Sequence, residues 1–259
     1  MMQMHVPALS IVFMVLTGLV TLVFPLLCAF IFVKKLKTRF SFVYMLVGAL
    51  MFIIFAMTLE QIVHIFAIPR VQHNFALYTA YACLMAGLFE ETGRYAAFKL
   101  LHSRDRGLMG ALSYGVGHGG AEAVLIVGLT MFNNIVLSFS INTIGVETLL
   151  NSVPVQARQT LYMAVSQLSG SEPALFLIGG VERMITIPMQ IALSVIVYIA
   201  VSRRAFLLYP FAVCLHAASN IPAVFYQTGK ITIFTSELII ACAALITVFL
   251  AVKLWKSYK

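Results

Sequence analysis

The most constraining feature of this sequence is the position of its acidic side chains inside apolar segments. Five of the nine Asp and Glu residues lie within long apolar stretches, namely Glu60, Glu90, Glu91, Glu122 and Glu182. An ionised carboxylate at the centre of a bilayer is unfavourable by several kcal/mol, so such residues face the interior of a helix bundle and usually mark a functional site. Any fold of this chain must therefore give these acids polar partners away from lipid.

The composition indicates an integral membrane protein. Of the 259 residues, 61% are hydrophobic and only 10% are charged, whereas about a quarter of the residues in a soluble domain are charged. The net charge of +8 does not indicate a nucleic-acid partner, because the basic residues lie at the ends of apolar segments and not in one patch. The lipid bilayer is the expected environment.

Apolar runs bounded by charged or turn residues predict an all-α fold. We expect a polytopic transmembrane bundle of about seven spans, forming a single domain over residues 1–259. Between the fourth and fifth runs, residues 133–173 are expected to form an extracytoplasmic loop with interfacial helices, since short amphipathic pieces alternate there with turn residues. The seven runs lie at about 8–33, 41–67, 75–101, 107–132, 174–201, 205–227 and 232–254.

The basic residues predict the orientation of this bundle. Eleven of them fall in loops on one side and three on the other. By the positive-inside rule, the C-terminus lies in the cytoplasm and the N-terminus lies outside, as in a multi-pass protein of a bacterial cytoplasmic membrane. The larger set is Lys34, Lys35, Lys37, Arg39, Arg104, Arg106, Arg203, Arg204, Lys253, Lys256 and Lys259, and the smaller set is Arg70, Arg158 and Lys230.

This orientation places polar residues of three spans at one depth. The Glu90–Glu91 pair, His118 and His216 each lie about ten residues from the cytoplasmic end of their segments, which corresponds to about 15 Å. Each has a polar neighbour three or four residues further on, on the same helix face. These neighbours are Arg94, Glu122 and Asn220. We therefore expect the three spans to form one polar pocket in the inner leaflet.

A second polar layer is expected nearer the outer face. Glu60 on the second segment, and Glu182 with Arg183 on the fifth, lie about 19 or 20 residues from the cytoplasmic side. Arg183 is expected to neutralise Glu60 or Glu182 in a structural ion pair. His64 is an isolated histidine in a membrane segment, and we expect it to form a hydrogen bond between helices.

The residue types of the inner pocket suit a hydrolase. Low-dielectric surroundings favour proton uptake by a carboxylate, so Glu90 or Glu91 can act as a base towards water. His118 can steer that proton. His216 and Asn220 are donors one turn apart that can stabilise a developing oxyanion. This mechanism requires no cofactor.

A zinc site is the alternative that these residues allow, because two histidines with glutamate ligands form a known hydrolytic zinc set. The ligands would be His118, Glu122, His216 and Glu90. The sequence contains no HExxH motif, the commonest helical signature of a zinc hydrolase.

Three motifs together resemble a known superfamily. Glu90-Glu91-Thr-Gly-Arg94, the segment Gly-His-Gly-Gly-Ala-Glu at 117–122 and the segment His-Ala-Ala-Ser-Asn at 216–220 are similar to the motifs of the CAAX-protease and bacteriocin-processing intramembrane glutamic proteases. The pattern looks like the YhfC branch, with PrsW as a relative. The resemblance covers about residues 75–225, the expected catalytic core.

This resemblance implies an intramembrane endopeptidase that cleaves a membrane-associated peptide or protein. Glu90 would activate water with the help of His118. His216 and Asn220 would form the oxyanion hole. The supporting residues would be Arg94, Glu122, Glu182 and Arg183.

Two positions depart from the superfamily pattern. The Glu pair and Arg94 are separated by two residues, where the superfamily has three. The second motif is rich in glycine and adds Glu122, which offers a further carboxylate as a base.

Two other classes of membrane protein stay open. Buried Glu and His also act as proton relays in transporters, although this chain has no evident repeat and no matching pair of broken helices. A non-catalytic protein of the bacteriocin-immunity type would keep the fold without the reaction. The sequence does not indicate the oligomeric state.

Overall fold

A computed structural model describes residues 4–37, 39–101 and 106–258 of the chain. Within these residues the secondary structure is helical and contains no β-strand. Two π-helical segments, Phe55–Glu60 and Ala123–Gly128, connect α2 to α3 and α5 to α6. The α-helices are α1 (Ala8–Leu36), α2 (Phe42–Ile54), α3 (Gln61–Val71), α4 (Phe75–Leu100), α5 (Gly107–Glu122), α6 (Leu129–Ile144), α7 (Val146–Asn151), α8 (Val155–Gly170), α9 (Pro173–Ser202), α10 (Leu208–Gln227) and α11 (Ile233–Tyr258).

The predicted polytopic helix bundle is confirmed. In the described part of the chain, six continuous helices are long and apolar enough to cross a membrane: Ala8–Leu36, Phe42–Val71, Gly107–Ile144, Pro173–Ser202, Leu208–Gln227 and Ile233–Tyr258. The remaining predicted run, 75–101, corresponds to α4, which has 26 residues. Four charged residues in the second half of α4 make it less apolar than the other six helices; these are Glu90, Glu91, Arg94 and Lys99.

The orientation of the bundle stays a prediction, because helix bounds do not distinguish the two sides of a membrane. Lys34 and Lys35 lie in the last turn of α1, and Lys256 lies in the last turn of α11, as expected for basic residues near a membrane surface. Arg104 and Lys259, on which the prediction also rests, lie outside the described residues.

The chain divides into two compact units, each built from two stretches of sequence. The first comprises Met1–Phe24 and Ala123–Met184, and the second comprises Pro25–Glu122 and Ile185–Lys259. The second unit contains the histidines and the Glu pair of the predicted inner pocket. The buried apolar core of the first unit consists of Val6, Met14, Met131, Ile141, Val165 and Leu168.

Residues 133–144 differ from the sequence-based expectation. The sequence predicts that the loop with interfacial helices begins there, but α6 continues the preceding span as a helix to Ile144. The hydroxyl groups of Ser138, Ser140 and Thr143 each donate to the carbonyl oxygen four residues earlier, at 2.6, 3.0 and 2.7 Å. Polar residues of this kind are therefore compatible with a continuous helix. The rest of the expected loop contains α7 and α8, whose interfacial location stays a prediction.

Glycines bring α2 and α5 of the second unit into backbone contact. A Cβ atom at Gly117 of α5 would lie 1.9 Å from the carbonyl oxygen of Met45 on α2. A Cβ atom at Gly48 of α2 would lie 2.2 Å from the carbonyl oxygen of Tyr114 on α5. Small residues permit this close approach of membrane helices. The contact fixes the position of α5 in the turn that precedes His118.

Glycines also permit close backbone contact at two other helix pairs. A Cβ atom at Gly87 of α4 would lie 2.8 Å from the carbonyl oxygen of Val213 on α10. A Cβ atom at Gly115 of α5 would lie 2.6 Å from the Cα atom of Ile191 on α9. Glycines therefore set the spacing of the helices that carry the predicted site residues.

We predict that Gly117→Ala destabilises the protein by about 1–3 kcal/mol, because the new methyl group overlaps the α2 backbone and forces the helices apart. The matched control is Gly18→Ala in α1, where an added Cβ meets no described atom within 4 Å. An SDS titration followed by circular dichroism measures both variants. Equal stability of Gly117→Ala and Gly18→Ala would contradict the close packing of α2 and α5.

Candidate active site

The carboxylate of Glu90 on α4 is the point at which four helices meet. Its Oε2 atom accepts hydrogen bonds from Nε2 of His118 on α5 at 2.9 Å and from Nε2 of Gln190 on α9 at 3.2 Å. Nη2 of Arg94 lies 3.6 Å from the same oxygen, and Nε2 of His216 on α10 lies 3.9 Å from it. The side chain is 10% exposed, so the carboxylate is buried but not sealed.

Glu91 is adjacent in sequence, but its environment differs. Its side chain is fully buried, and Oε1 forms an ion pair with Nη1 of Arg94. The same oxygen accepts a hydrogen bond from Nδ1 of His216 at 2.7 Å. Both bonds orient the carboxylate of Glu91, and the second fixes the ring of His216. Because Nδ1 of His216 is directed to Glu91, Nε2 is the atom that faces Glu90.

Arg94 connects the two carboxylates to α9. The side chain is fully buried, and its three nitrogen atoms are used: Nη1 binds Glu91, Nη2 binds Oε1 of Gln190, and Nε donates to Oγ of Ser194 at 3.3 Å. A buried charge is tolerated only when it is paired and hydrogen-bonded in this way. Arg94 therefore neutralises part of the negative charge of the Glu pair.

The ring of His118 is held by aromatic neighbours. Phe52 contacts it edge-on at a centroid distance of 5.2 Å, and Tyr114 stacks against it at 5.9 Å. Nδ1 of His118 is buried and has no hydrogen-bond partner among the described residues. A neutral ring with its proton on Nε2 meets these conditions, because it donates to Glu90 and leaves only a lone pair at Nδ1.

Gln190 is the member of this cluster that the sequence analysis missed. It is a buried residue of α9, and its amide contacts Glu90, Arg94 and Glu122, whose Oε2 accepts a bond from Nε2 at 2.5 Å. A single neutral residue in an apolar span has no spacing pattern. The available signal was its depth, since Gln190 lies about as far from the end of α9 as Glu90 lies from the end of α4.

The structure brings together Glu90, Glu91, Arg94, His118, Glu122 and His216 of the predicted residues. Asn220 lies one turn after His216 on α10 and is half-buried. No described contact joins its side chain to the cluster. Glu182 and Arg183 belong to the first unit and form an ion pair with each other.

Glu60 belongs to a separate polar chain in the second unit. It ends the π-helical segment between α2 and α3, and its Oε1 atom lies 3.2 Å from Nε2 of His64. Nδ1 of His64 is 2.8 Å from the hydroxyl oxygen of Tyr81 on α4. The predicted hydrogen bond of His64 between helices is confirmed. The ion pair of Arg183 is the one with Glu182, the second of the two predicted partners.

Comparison with known proteins gives one family. A family model described as YhfC intramembrane metalloprotease matches residues 3–241 of the chain. A protein of Bacillus subtilis (strain 168), named uncharacterized membrane protein YhfC, is 36% identical over 252 residues, which cover 94% of this chain and 96% of the relative. No solved structure matches the chain.

The family description implies a metal ion, so the donor atoms can be tested for one. Catalytic zinc has three protein ligands at about 2.0–2.2 Å for nitrogen and oxygen. Within the described ranges, no group of three or more His, Cys, Asp or Glu side chains is placed to hold a metal ion.

The hydrogen bonds at Glu90 explain why these side chains are not placed to hold a metal ion. The two lone pairs of Oε2 are occupied by His118 and Gln190, and the cationic Arg94 lies 3.6 Å away. Glu122 is bound to Gln190 in turn. The predicted zinc set of His118, Glu122, His216 and Glu90 thus shares a hydrogen-bonded cluster that does not fit the ion as arranged.

We predict that Arg94→Met destabilises the protein by about 3–5 kcal/mol, because it leaves the buried carboxylate of Glu91 without its counter-ion. Arg203→Met is the control, since Arg203 is exposed after the end of α9. The double variant Glu91→Leu/Arg94→Met should recover about half of the loss, because it removes both charges. SDS titration measures the three free energies, and an Arg94→Met protein as stable as Arg203→Met would contradict the ion pair.

Proposed function

Because the chain belongs to the YhfC intramembrane metalloprotease family, we propose that it is an endopeptidase that hydrolyses a peptide bond of a membrane-associated protein or peptide. Glu90 is the base that activates water in this proposal. The observation that carries it is the convergence of His118, Gln190, Arg94 and His216 on one oxygen atom of a buried carboxylate.

The surroundings of the two glutamates favour Glu90 over Glu91 as the base. Oε1 of Glu91 is bound to Arg94 and His216, and its side chain is fully buried. In the part of the chain that the structure describes, the bonds accepted by Glu90 all reach Oε2. Its side chain is 10% exposed. A base must reach the proton that it abstracts, and of these two glutamates Glu90 is the one that is partly exposed.

The proposed reaction uses the two histidines in different ways. Glu90 takes a proton from water while the oxygen attacks the carbonyl carbon of the peptide, and His118 holds the carboxylate in place. When both ring nitrogens of His216 carry a proton, Nδ1 donates to Glu91 at 2.7 Å, and Nε2, which lies 3.9 Å from Oε2 of Glu90, has no acceptor at hydrogen-bond distance. Nε2 of His216 then donates to the developing oxyanion. Glu90 finally passes its proton to the departing amine, which completes the hydrolysis.

Asn220 is the second donor of the proposed oxyanion hole. It follows His216 by one turn of α10 and is half-buried. Glu182 and Arg183 support the fold of the first unit through their ion pair. In this proposal the enzyme is a multi-pass protein of a bacterial cytoplasmic membrane, with its substrate in the same bilayer.

We predict that Glu90→Gln lowers cleavage by at least about 100-fold, because the amide cannot accept the proton of water. Glu147→Gln on α7 is the matched control, since Glu147 is exposed in the first unit. Mass spectrometry of protein N-termini in the membranes of cells producing each variant identifies cleavage sites. A synthetic peptide spanning such a site then gives the rate with purified protein.

Two results would contradict this assignment. A Glu90→Gln enzyme that retains the wild-type rate would remove Glu90 as the base. Identical N-termini in wild-type and Glu90→Gln membranes, together with no cleavage of the peptide, would favour a transporter or a non-catalytic protein instead.

We also predict that 1,10-phenanthroline and EDTA change the rate of the purified enzyme by less than about twofold, because the donor atoms are committed to one another and not to an ion. Elemental analysis of the same sample should find less than one zinc per chain. Stoichiometric zinc, with activity lost on its removal and restored on its return, would overturn the metal-free mechanism and agree with the family description.

A further inference from the structure

We infer that Gln190 is a positioning residue that sets the orientation of the Glu90 carboxylate by bridging it to Glu122. The inference rests on the proposed function, in which Glu90 is the base. It concerns a residue that no sequence motif contains.

The direction of the Gln190 amide follows from its partners. A guanidinium group has only donors, so the atom that meets Nη2 of Arg94 must be the amide oxygen Oε1. The NH₂ group is then turned to the other side. It donates to Oε2 of Glu90 at 3.2 Å and to Oε2 of Glu122 at 2.5 Å. Each of its two hydrogen atoms has an acceptor.

This bridge determines which oxygen of Glu90 can act on water. Together with His118, Gln190 occupies the two lone pairs of Oε2. Oε1 is then the basic atom that can turn to a substrate water. Without the amide, the carboxylate of Glu90 can rotate about its terminal bond, because such torsions have broad minima.

A neutral amide is also the side chain that can join two carboxylates. Glu90 and Glu122 are each bound to one amide nitrogen, so their charges lie close together. An uncharged double donor stabilises both without adding charge. A carboxylate at position 190 would instead add a third negative group, and an ammonium group would form a full ion pair with the base.

The fold makes space for this side chain and holds its backbone. A Cβ atom at Gly119 of α5 would lie 3.1 Å from Cβ of Gln190, so the glycine provides room for the amide stem. Oγ of Ser194, one turn further on α9, donates to the carbonyl oxygen of Gln190 at 2.8 Å and accepts from Nε of Arg94. Gln190 and Ser194 thus lie on one face of α9, and both accept hydrogen bonds from Arg94.

The test uses two substitutions of Gln190, one that removes both donors and one whose donor depends on pH. Gln190→Leu removes both donors and should lower kcat by about 100-fold with little change of KM, because the base is misplaced while the peptide still binds. Gln190→Glu keeps the length and planarity of the side chain. Its activity relative to wild type should rise as the pH is lowered from about 8 to about 5, because a protonated carboxyl group donates and an ionised one repels.

The pH profile must be considered with every titratable group that faces position 190. These are Glu90, Glu91 and Arg94 on α4, His118 and Glu122 on α5, and His216 on α10. All of them are common to wild type and variant, so the ratio of the two profiles isolates the new carboxyl group. Thr186→Val is the control, since Thr186 is a buried residue one turn earlier on α9 with no described partner for its hydroxyl.

A second measurement is independent of catalysis. Dicyclohexylcarbodiimide labels protonated carboxyl groups in apolar surroundings, and mass spectrometry locates the label. Loss of the amide donor should increase the labelling of Glu90 in Gln190→Leu relative to wild type and Thr186→Val. This reports on the carboxylate of Glu90 even if no peptide is cleaved.

The outcomes are distinct. Wild-type kcat in Gln190→Leu, or labelling of Glu90 equal to that of wild type, would overturn the positioning role. If Gln190→Leu does not fold, an unaltered pH profile in Gln190→Glu would do the same. If no variant, wild type included, cleaves peptide, the proposed function fails, and the labelling still decides whether Gln190 controls Glu90.

Discussion

Two adjacent carboxylates in an apolar helix bundle impose the main constraint on this protein. Glu90 and Glu91 cannot both be ionised among apolar side chains unless cations and donors are brought to them. Arg94 supplies the cation one turn away on the same helix, and His118, Gln190 and His216 supply donors from three other helices. The packing of α4, α5, α9 and α10 is thereby tied to the chemistry of one pair of acids.

The glycines of α5 allow the helices around this charge cluster to pack closely. Gly117 lets α5 contact the α2 backbone, Gly115 brings it against α9, and Gly119 leaves space for Gln190. A Cβ atom at Gly117 or Gly115 would overlap the facing backbone and force the helices apart. The glycine-rich sequence around His118 thus brings backbones close enough for side-chain bonds between helices.

Much of the fold could be predicted from the sequence because hydropathy and helical rise are local properties. The seven apolar runs and the common depth of Glu90, His118 and His216 follow from them. The continuation of α6 to Ile144 could not be predicted, since hydroxyl groups can satisfy helix carbonyls as well as form turns.

The different environments of Glu90 and Glu91 and the contacts of Gln190 also required the structure. Neighbouring residues of a helix point about 100° apart, and only packing decides which of them faces which partner. Gln190 is remote in sequence from every motif, and its contacts depend on how α9 meets α4 and α5. Asn220, in contrast, belongs to a predicted motif, but its spacing from His216 does not by itself bring it into contact with the cluster.

The most direct test of this account is an electron-microscopy structure of the Glu90→Gln protein in a lipid nanodisc with an uncleaved substrate peptide. We expect the scissile carbonyl oxygen within hydrogen-bonding distance of Nε2 of His216, and the side chain of residue 90 facing the carbonyl carbon across one water molecule. A peptide bound away from His216, or a metal ion among His118, His216 and residue 90, would contradict it.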